Sequence, residues 1–323
     1  MKLATHPNGT PDGELVIVST DLSRAVSASG IAANLQTALE NWAQAGPALG
    51  RLAEDLAAGR VDGDAFDPLA ALAPLPRAWQ WLDGSAFPMH GELMQKAFNL
   101  PPIETDRPLM YQGLSDRFLA PSEPVPLPSE EDGIDFEGEF GVIVDAVPMG
   151  ITPEDAREHI RLIVQINDWS LRTIAPIEMK TGFGWVQAKP ACSMAAAAIT
   201  PDELGGAWRE GRVCLPLEID WNGTRFGAAR GDEMEFGFHE LVAHAARTRD
   251  LVAGTIIGSG TVSNTAYAEA GSSCISERRA IDMIEFGEIR TPFMAFGDTI
   301  RMNARDGAGH SIFGAIEQKI VRA

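Results

Sequence analysis

The stretch IDFEGEFGVIV, residues 134–144, constrains this chain more than any other. Ile, Phe and Val favour a pleated, half-buried strand, yet Glu137 and Glu139 sit in the middle of it. Alternate strand residues point to one face, so the two acids share a face while Phe136, Phe140, Val142 and Val144 take the other. Their Cα atoms then lie roughly 6.5–7 Å apart, close enough for both carboxylates to reach one ion. Two such anions without a counter-charge raise each other's pKa or repel. A solvated face of an antiparallel sheet is the commoner meaning of an isolated E-x-E, and the stretch alone does not decide between the two.

Charge and cysteine usage remove several function classes. The 323 residues carry a net charge of −19, which argues against nucleic acid or anionic membrane as partner, because both need Lys/Arg-rich surfaces. Cys192, Cys214 and Cys274 are widely spaced and form no C-x-x-C. Reduced thiols in a cytoplasmic protein are therefore expected, not a zinc knuckle or a disulfide framework. The opening MKLATHPNGTPDGELVIV has no apolar leader core, and no apolar run is long enough to span a bilayer.

Residues 1–30 read as short strands with turns, followed by the helix-periodic IAANLQTALENWAQAGPALGRLAEDLAAG with Gly46-Pro47 as its break. The Pro-rich DPLAALAPLPRAW looks like a linker. These signals predict a small N-terminal domain over 1–75 and a larger, mainly β domain over 76–323, an α+β arrangement overall. Two helices are expected in the larger unit. One begins at GITPEDAREHIRLIVQINDWS, with Thr152 as N-cap and Pro153 at the first helical position; the other is GFHELVAHAARTRDLVAG. HELVAH is a decoy for a zinc-protease motif: His239 and His244 are five apart, roughly 140° around a helix, so surface or capping roles are expected. GTIIGSGTVSN lacks the Lys-Ser/Thr of a phosphate loop and reads as a tight strand-to-loop turn.

Three further segments share the character of the first. Asp83 lies in WQWLDGSAFPMHGE with His90 seven residues on, Asp168 ends the apolar run of IVQINDWSLRTI with Arg172 four residues later, and Lys189 sits in WVQAKPA. Buried charges are costly unless paired or bound to metal. Four carboxylates arriving from apolar segments are explained by one shared cation, and all-oxygen ligation points to Mg²⁺ or Ca²⁺, with Mn²⁺ also compatible.

At these residues the chain resembles the fumarylacetoacetate hydrolase family, over roughly residues 80–320 and through FGDTIRM and IFGAIEQ near the end. The resemblance implies a mixed β-sandwich or β-roll catalytic domain behind a small N-terminal α/β domain. It implies a metal site of Asp83, Glu137, Glu139 and Asp168, with His90 as general base oriented by Glu277 in SSCISERR. Arg172 and Lys189 would stabilise an oxyanion, and Tyr111 in YQGLS and Thr261 in GTVSN would contact substrate. The family's fumarylacetoacetate-cleaving animal enzymes have a Gln and a Tyr where this chain has Ala175 and Met179, and an Arg where it has Asn99. Those departures bear on the substrate, not on the metal.

The expected activity is metal-dependent hydrolysis of a carbon–carbon bond in a small 1,3-dicarbonyl acid. Fumarylacetoacetate, as in aromatic amino acid catabolism, is the first choice, and the resemblance also implies a homodimer. Acylpyruvate hydrolysis and oxaloacetate decarboxylation on the same fold are the alternatives. A non-catalytic, metal-stabilised binding protein is the rival of a different class.

Overall fold

Short apolar runs punctuated by Gly and Pro turns form the strands of this chain, and two sheets make up most of the fold. The computed structural model describes residues 1–99, 101 and 105–323. The larger sheet has eleven strands. Its order begins Asp64–Ala65, Arg24–Ser27, Glu14–Val18, Lys2–His6, Ala197–Ile199 and Ile160–Asn167. It continues through Gly138–Val144, Ile256–Gly258, Trp81–Gly84 and Met110–Gln112, with Ser193–Met194 pairing to one side of Ile160–Asn167. A second, five-stranded sheet runs Thr224–Arg230, Pro216–Trp221, Thr299–Ala304, Ile316–Arg322, Val125–Leu127. The fold is α+β and mostly sheet, with parallel and antiparallel pairs mixed.

The alternation expected around Glu139 holds. Phe136, Phe140, Val142 and Val144 pack with Leu217, Ile219, Met302 and Ile316 of the second sheet. Ile143, on the opposite face, packs with Leu162, Val164 and the helix residues Leu35, Leu39 and Leu49. The stretch is not one continuous strand, however: Ile134–Asp135 pairs with Ser170–Leu171, and the main sheet begins only at Gly138. Glu137 lies in the step between them, buried, as Glu139 is. The solvated-face reading therefore fails.

Three sequence expectations about elements are corrected. The N-terminal helical region breaks at Asn41, between helices Leu35–Glu40 and Trp42–Ala57, and Pro47 lies inside the second. Losing one backbone hydrogen bond at Pro47 is offset by burying Ala45, Leu49 and Leu56 on the sheet. The helix starting at Pro153 lasts only to Ala156 plus a 3₁₀ turn, after which IRLIVQIN is a strand. Its β-branched run, paired on both sides, outweighs the N-terminal helix signal. Helices Pro88–Phe98 and Ile275–Phe286 were not anticipated, and they carry His90 and Glu277.

The main sheet is continuous across residue 75. Lys2–His6 pairs antiparallel with Ala197–Ile199, and Leu3, Leu15 and Ile17 share a core with Ile143, Leu162 and Val164. Removing residues 1–75 uncovers this core, and large exposed apolar patches drive association. We expect a 76–323 fragment to elute as aggregate in size-exclusion chromatography. A soluble fragment with an intact far-ultraviolet spectrum and cooperative melting contradicts this.

Candidate metal and catalytic centre

Strand register assembles the site. Antiparallel pairing sets Ile166 opposite Glu139 and Asn167 opposite Gly138, which brings Asp168 to the end of the same pair of strands. A row across the sheet then runs Gly141, Gly258, Asp83, Tyr111. Gly258 is required there, because a Cβ would stand 2.2 Å from Asp83 Oδ1. Just beyond it Gly260, at φ +77°, turns the chain so that its N–H donates to Asp83 Oδ1 at 3.0 Å. Thr261 follows, buried, in the turn foreseen from GTVSN.

Asp83, Glu139 and Asp168 are all buried, and one oxygen from each lies within 4.8 Å of the others. Neither Glu139 oxygen has a protein hydrogen-bond partner, although both are shut off from solvent. Burial, then the neighbouring Asp83 and Asp168, push the Glu139 carboxyl well above its usual range; burial, then Asp168, does the same to Asp83. Three converging buried carboxylates, with both oxygens of Glu139 unpartnered, fit a hard divalent cation, which takes carboxylate oxygen ligands.

Glu137 stands beside this group and is otherwise engaged. Its Oε2 accepts from Lys189 Nζ at 3.0 Å, while Oε1 accepts from Ser170 Oγ at 3.1 Å and from the Arg172 guanidinium. Burial opposes ionisation, but Arg172 and Lys189 prevail and hold Glu137 below the usual carboxylate range. Lys189 also donates to Asp168 Oδ2 at 2.6 Å, so it bridges Glu137 to the group of three. Although buried itself, Lys189 is raised above an ordinary lysine by Asp168 and Glu137 and stays an ammonium. The Tyr111 hydroxyl donates to Asp168 Oδ2 at 2.6 Å.

On the other side, His90 Nδ1 is 3.1 Å from Glu277 Oε2, across helices Pro88–Phe98 and Ile275–Phe286. His90 is close enough to Glu137 to favour its ionised form. The two decoy histidines behave otherwise: His239 is buried with Nε2 at 2.8 Å from Arg157, not on the surface, and His244 lies on the same short helix. Asn99 closes helix Pro88–Phe98 in a left-handed conformation, and Met179 is exposed.

Two residues not singled out in the sequence complete the arrangement. Asp135, fully buried, accepts from Arg172 Nε at 2.7 Å and from the N–H groups of Ile275 and Ser276 at 2.7 and 2.9 Å. It caps the helix that carries Glu277 and ties it to Arg172. The signal was present, as a third acid in the same apolar stretch. The Cys192 thiol donates to Asp168 Oδ1 at 3.0 Å, and burial, then Asp168, push it up and keep it neutral.

Sheet order and this acid-rich pocket define a class, and the comparisons agree. The family described as "Fumarylacetoacetate (FAA) hydrolase C-terminal" matches residues 80–321, and "Fumarylacetoacetase N-terminal domain 2" matches residues 1–77. The chain belongs to the fumarylacetoacetate hydrolase family. Over 163 residues it is 25% identical to a 2,4-didehydro-3-deoxy-L-rhamnonate hydrolase of Sphingomonas sp. (strain SKA58), covering 50% of this chain and 54% of that protein. Over 162 residues it is 24% identical to the mitochondrial oxaloacetate tautomerase fahd2 of Xenopus laevis, covering 48% and 47%. The alignments thus span about half the length of these relatives. The solved maleylpyruvate hydrolase of Sphingobium sp. SYK-6 shares the fold over 100% of both chains, at TM-score 0.66 and 14% identity.

The raised carboxyls have a consequence for stability. Asp83 and Glu139 titrate above their unfolded values of 3.8 and 4.5. Above those values the folded chain therefore holds more protons than the unfolded one, and the cation-free protein loses stability as pH rises. Cation binding needs the ionised carboxylates, so it opposes that loss. The rise in Tm on adding Mg²⁺ to EDTA-treated protein should grow from pH 5 to pH 8. Glu139→Gln should raise the cation-free Tm at pH 8 and abolish the Mg²⁺ effect. A Mg²⁺-induced shift that is the same at both pH values, measured by scanning calorimetry, contradicts the assignment.

Proposed function

We propose that the chain catalyses cation-dependent hydrolysis of a carbon–carbon bond in a 1,3-dicarbonyl acid. One observation carries the reading: an imidazole–carboxylate pair, His90–Glu277, stands beside three converging buried carboxylates, of which Glu139 has no hydrogen-bond partner on either oxygen. A divalent cation, Mg²⁺ or Ca²⁺, held by Asp83, Glu139 and Asp168 with Glu137 alongside, would supply Lewis-acid polarisation of the dicarbonyl oxygens. The residues of the chain supply the rest. Glu277 fixes the His90 ring through Nδ1, which leaves Nε2 to take a proton from water. Lys189 has three N–H donors; two are committed to Glu137 and Asp168, and the third is left to face negative charge developing on the attacked carbonyl. Arg172 is bonded to Asp135 and Glu137 and works by holding Glu137, not by meeting the oxyanion expected from the resemblance.

Fumarylacetoacetate, cleaved to fumarate and acetoacetate, is the substrate proposed first, and acylpyruvates come next. Decarboxylation of oxaloacetate needs no water-activating pair, so the His90–Glu277 dyad favours hydrolysis over it, and over a purely binding role. The tautomerase relative supports a second reading, in which His90 shuttles a proton between the keto and enol forms of an oxo acid. Fumarylacetoacetate, acetylpyruvate and oxaloacetate, each with Mg²⁺ or EDTA, separate these readings when loss of ultraviolet absorbance is paired with proton NMR of products. Carboxylic acid fragments from either of the first two support hydrolysis. Changes confined to the keto–enol ratio of oxaloacetate defeat it.

A homodimer in the cytoplasm completes the reading. Ile177, Met179, Phe183 and Val186 are exposed along one segment, which suits burial against another copy, and none of the helices is long and apolar enough to cross a membrane among the described residues. Light scattering should give twice the 34.7 kDa of the chain.

His90→Ala should cut kcat by about 10²–10⁴ while leaving Mg²⁺ affinity by calorimetry nearly intact. Loss of Mg²⁺ binding in that variant would place His90 among the ligands instead.

A further inference from the structure

Between Arg172 and Lys189 the chain forms helix Ala175–Thr181 and a returning loop. Glu178, on that helix, is exposed, yet its carboxylate accepts backbone N–H groups from Val186, Gln187 and Ala188 at 3.0–3.2 Å. These amides, Gln187 foremost, hold it below the ordinary carboxylate range. A carboxylate gathered by three consecutive amides fixes the course of the loop. The loop presents two side chains to the site, Lys189 and Trp185.

The Trp185 ring stands edge-on to Tyr111, with centroids 4.6 Å apart and planes at 67°. Lys189 Nζ is 5.6 Å from its centre. The indole N–H is shielded from solvent and has no acceptor. Indole nitrogen only donates, and a shielded donor without a partner is a disfavoured group that a bound acceptor can satisfy. The neighbouring donors are already engaged: the Tyr111 hydroxyl and the Cys192 thiol with Asp168, and two bonds of Lys189 with Glu137 and Asp168.

We propose that Trp185 is a specificity-determining residue whose indole N–H donates to an oxygen at the acyl end of the substrate. The proposal rests on the 1,3-dicarbonyl acid reading and deepens it. Two aromatic rings at one wall favour a flat, conjugated acyl chain over a puckered one. A terminal carboxylate is the acceptor favoured here, because hydrogen bonds to ionised acceptors are the strong ones and the Lys189 ammonium adds attraction at close range. The class selected is an unsaturated, planar acyl group ending in a carboxylate.

Trp185→Phe keeps an aromatic ring and removes the donor. Calorimetry on Mg²⁺-loaded protein with fumarate, a planar dicarboxylate, and with oxalate, which mimics only the chelating end, reads binding without turnover. Fumarate affinity should fall about tenfold or more, while oxalate affinity stays within about twofold. The Tm should not drop, since the lost group has no partner. In turnover, KM for fumarylacetoacetate should rise at nearly unchanged kcat, and KM for acetylpyruvate, whose acyl end carries no carboxylate, should stay put. Equal weakening of both probes, no weakening of either, or no fumarate binding by the wild type overturns the proposal. If no dicarbonyl acid is cleaved yet fumarate binding still depends on Trp185, the hydrolase reading falls and the role of Trp185 stands.

Discussion

A carboxylate taken out of water needs positive charge or hydrogen bonds to meet it, and this chain buries Asp83, Asp135, Glu137, Glu139, Asp168 and Glu277 around one pocket. Arg172 and Lys189 meet part of the demand, on Asp135, Glu137 and one oxygen of Asp168. Glu139 is left with nothing, and Asp83 with a backbone N–H. The neighbouring backbone is shaped to leave that space. Side chains at Gly141 and Gly258 would collide with Ile166 and Asp83, and one at Gly260 would stand 2.5 Å from the Gly84 carbonyl. Sheet, glycines and charge imbalance together leave three converging acids that could hold a cation.

The imidazole pair is not an independent feature laid over this pocket. Asp135 caps the helix bearing Glu277 and also binds Arg172, which in turn grips Glu137. Glu137 bridges to Asp168 through Lys189. These bonds form one connected buried network, so the orientation of the dyad and the placement of the carboxylates share one frame. Neutralising Asp135 would therefore act at a distance, loosening Glu277 without touching substrate.

How much of this was legible in the sequence depended on anomaly. Glu137, Glu139, Asp83 and Asp168 stood out because acids are out of place among Ile, Val and Trp, and the structure gathers three of them while pinning the fourth alongside. His90 and Glu277 were reached only through the family resemblance, because their helices are weakly marked. Ile275–Phe286 buries few apolar residues and begins at Cys274, whose sulfur accepts the Glu277 N–H at 3.3 Å, where the usual cap signal is Ser, Thr, Asp or Asn. Pro88 at the start of its helix was the one readable cue for the other. The strand Ile160–Asn167 was hidden behind a genuine N-cap at Thr152, which starts a helix that sheet pairing then ends. Trp185 gave no signal, since its meaning lies in a missing partner.

The electrostatics also divide the labour among these groups. Burial and the Asp168 carboxylate push the Tyr111 hydroxyl and the Cys192 thiol up, so both remain neutral donors. Burial opposes the charge on Lys189, but Asp168 and Glu137 outweigh it and keep the ammonium. Arg172 is held charged between Glu137 and Asp135. These four groups are thus each held in one charge state. His90 is set apart from them, its Nδ1 turned to the Glu277 carboxylate, which holds it through Oε2. Fixed positive charge on Lys189 and Arg172 and the His90–Glu277 pair are thus carried by different groups of one connected site.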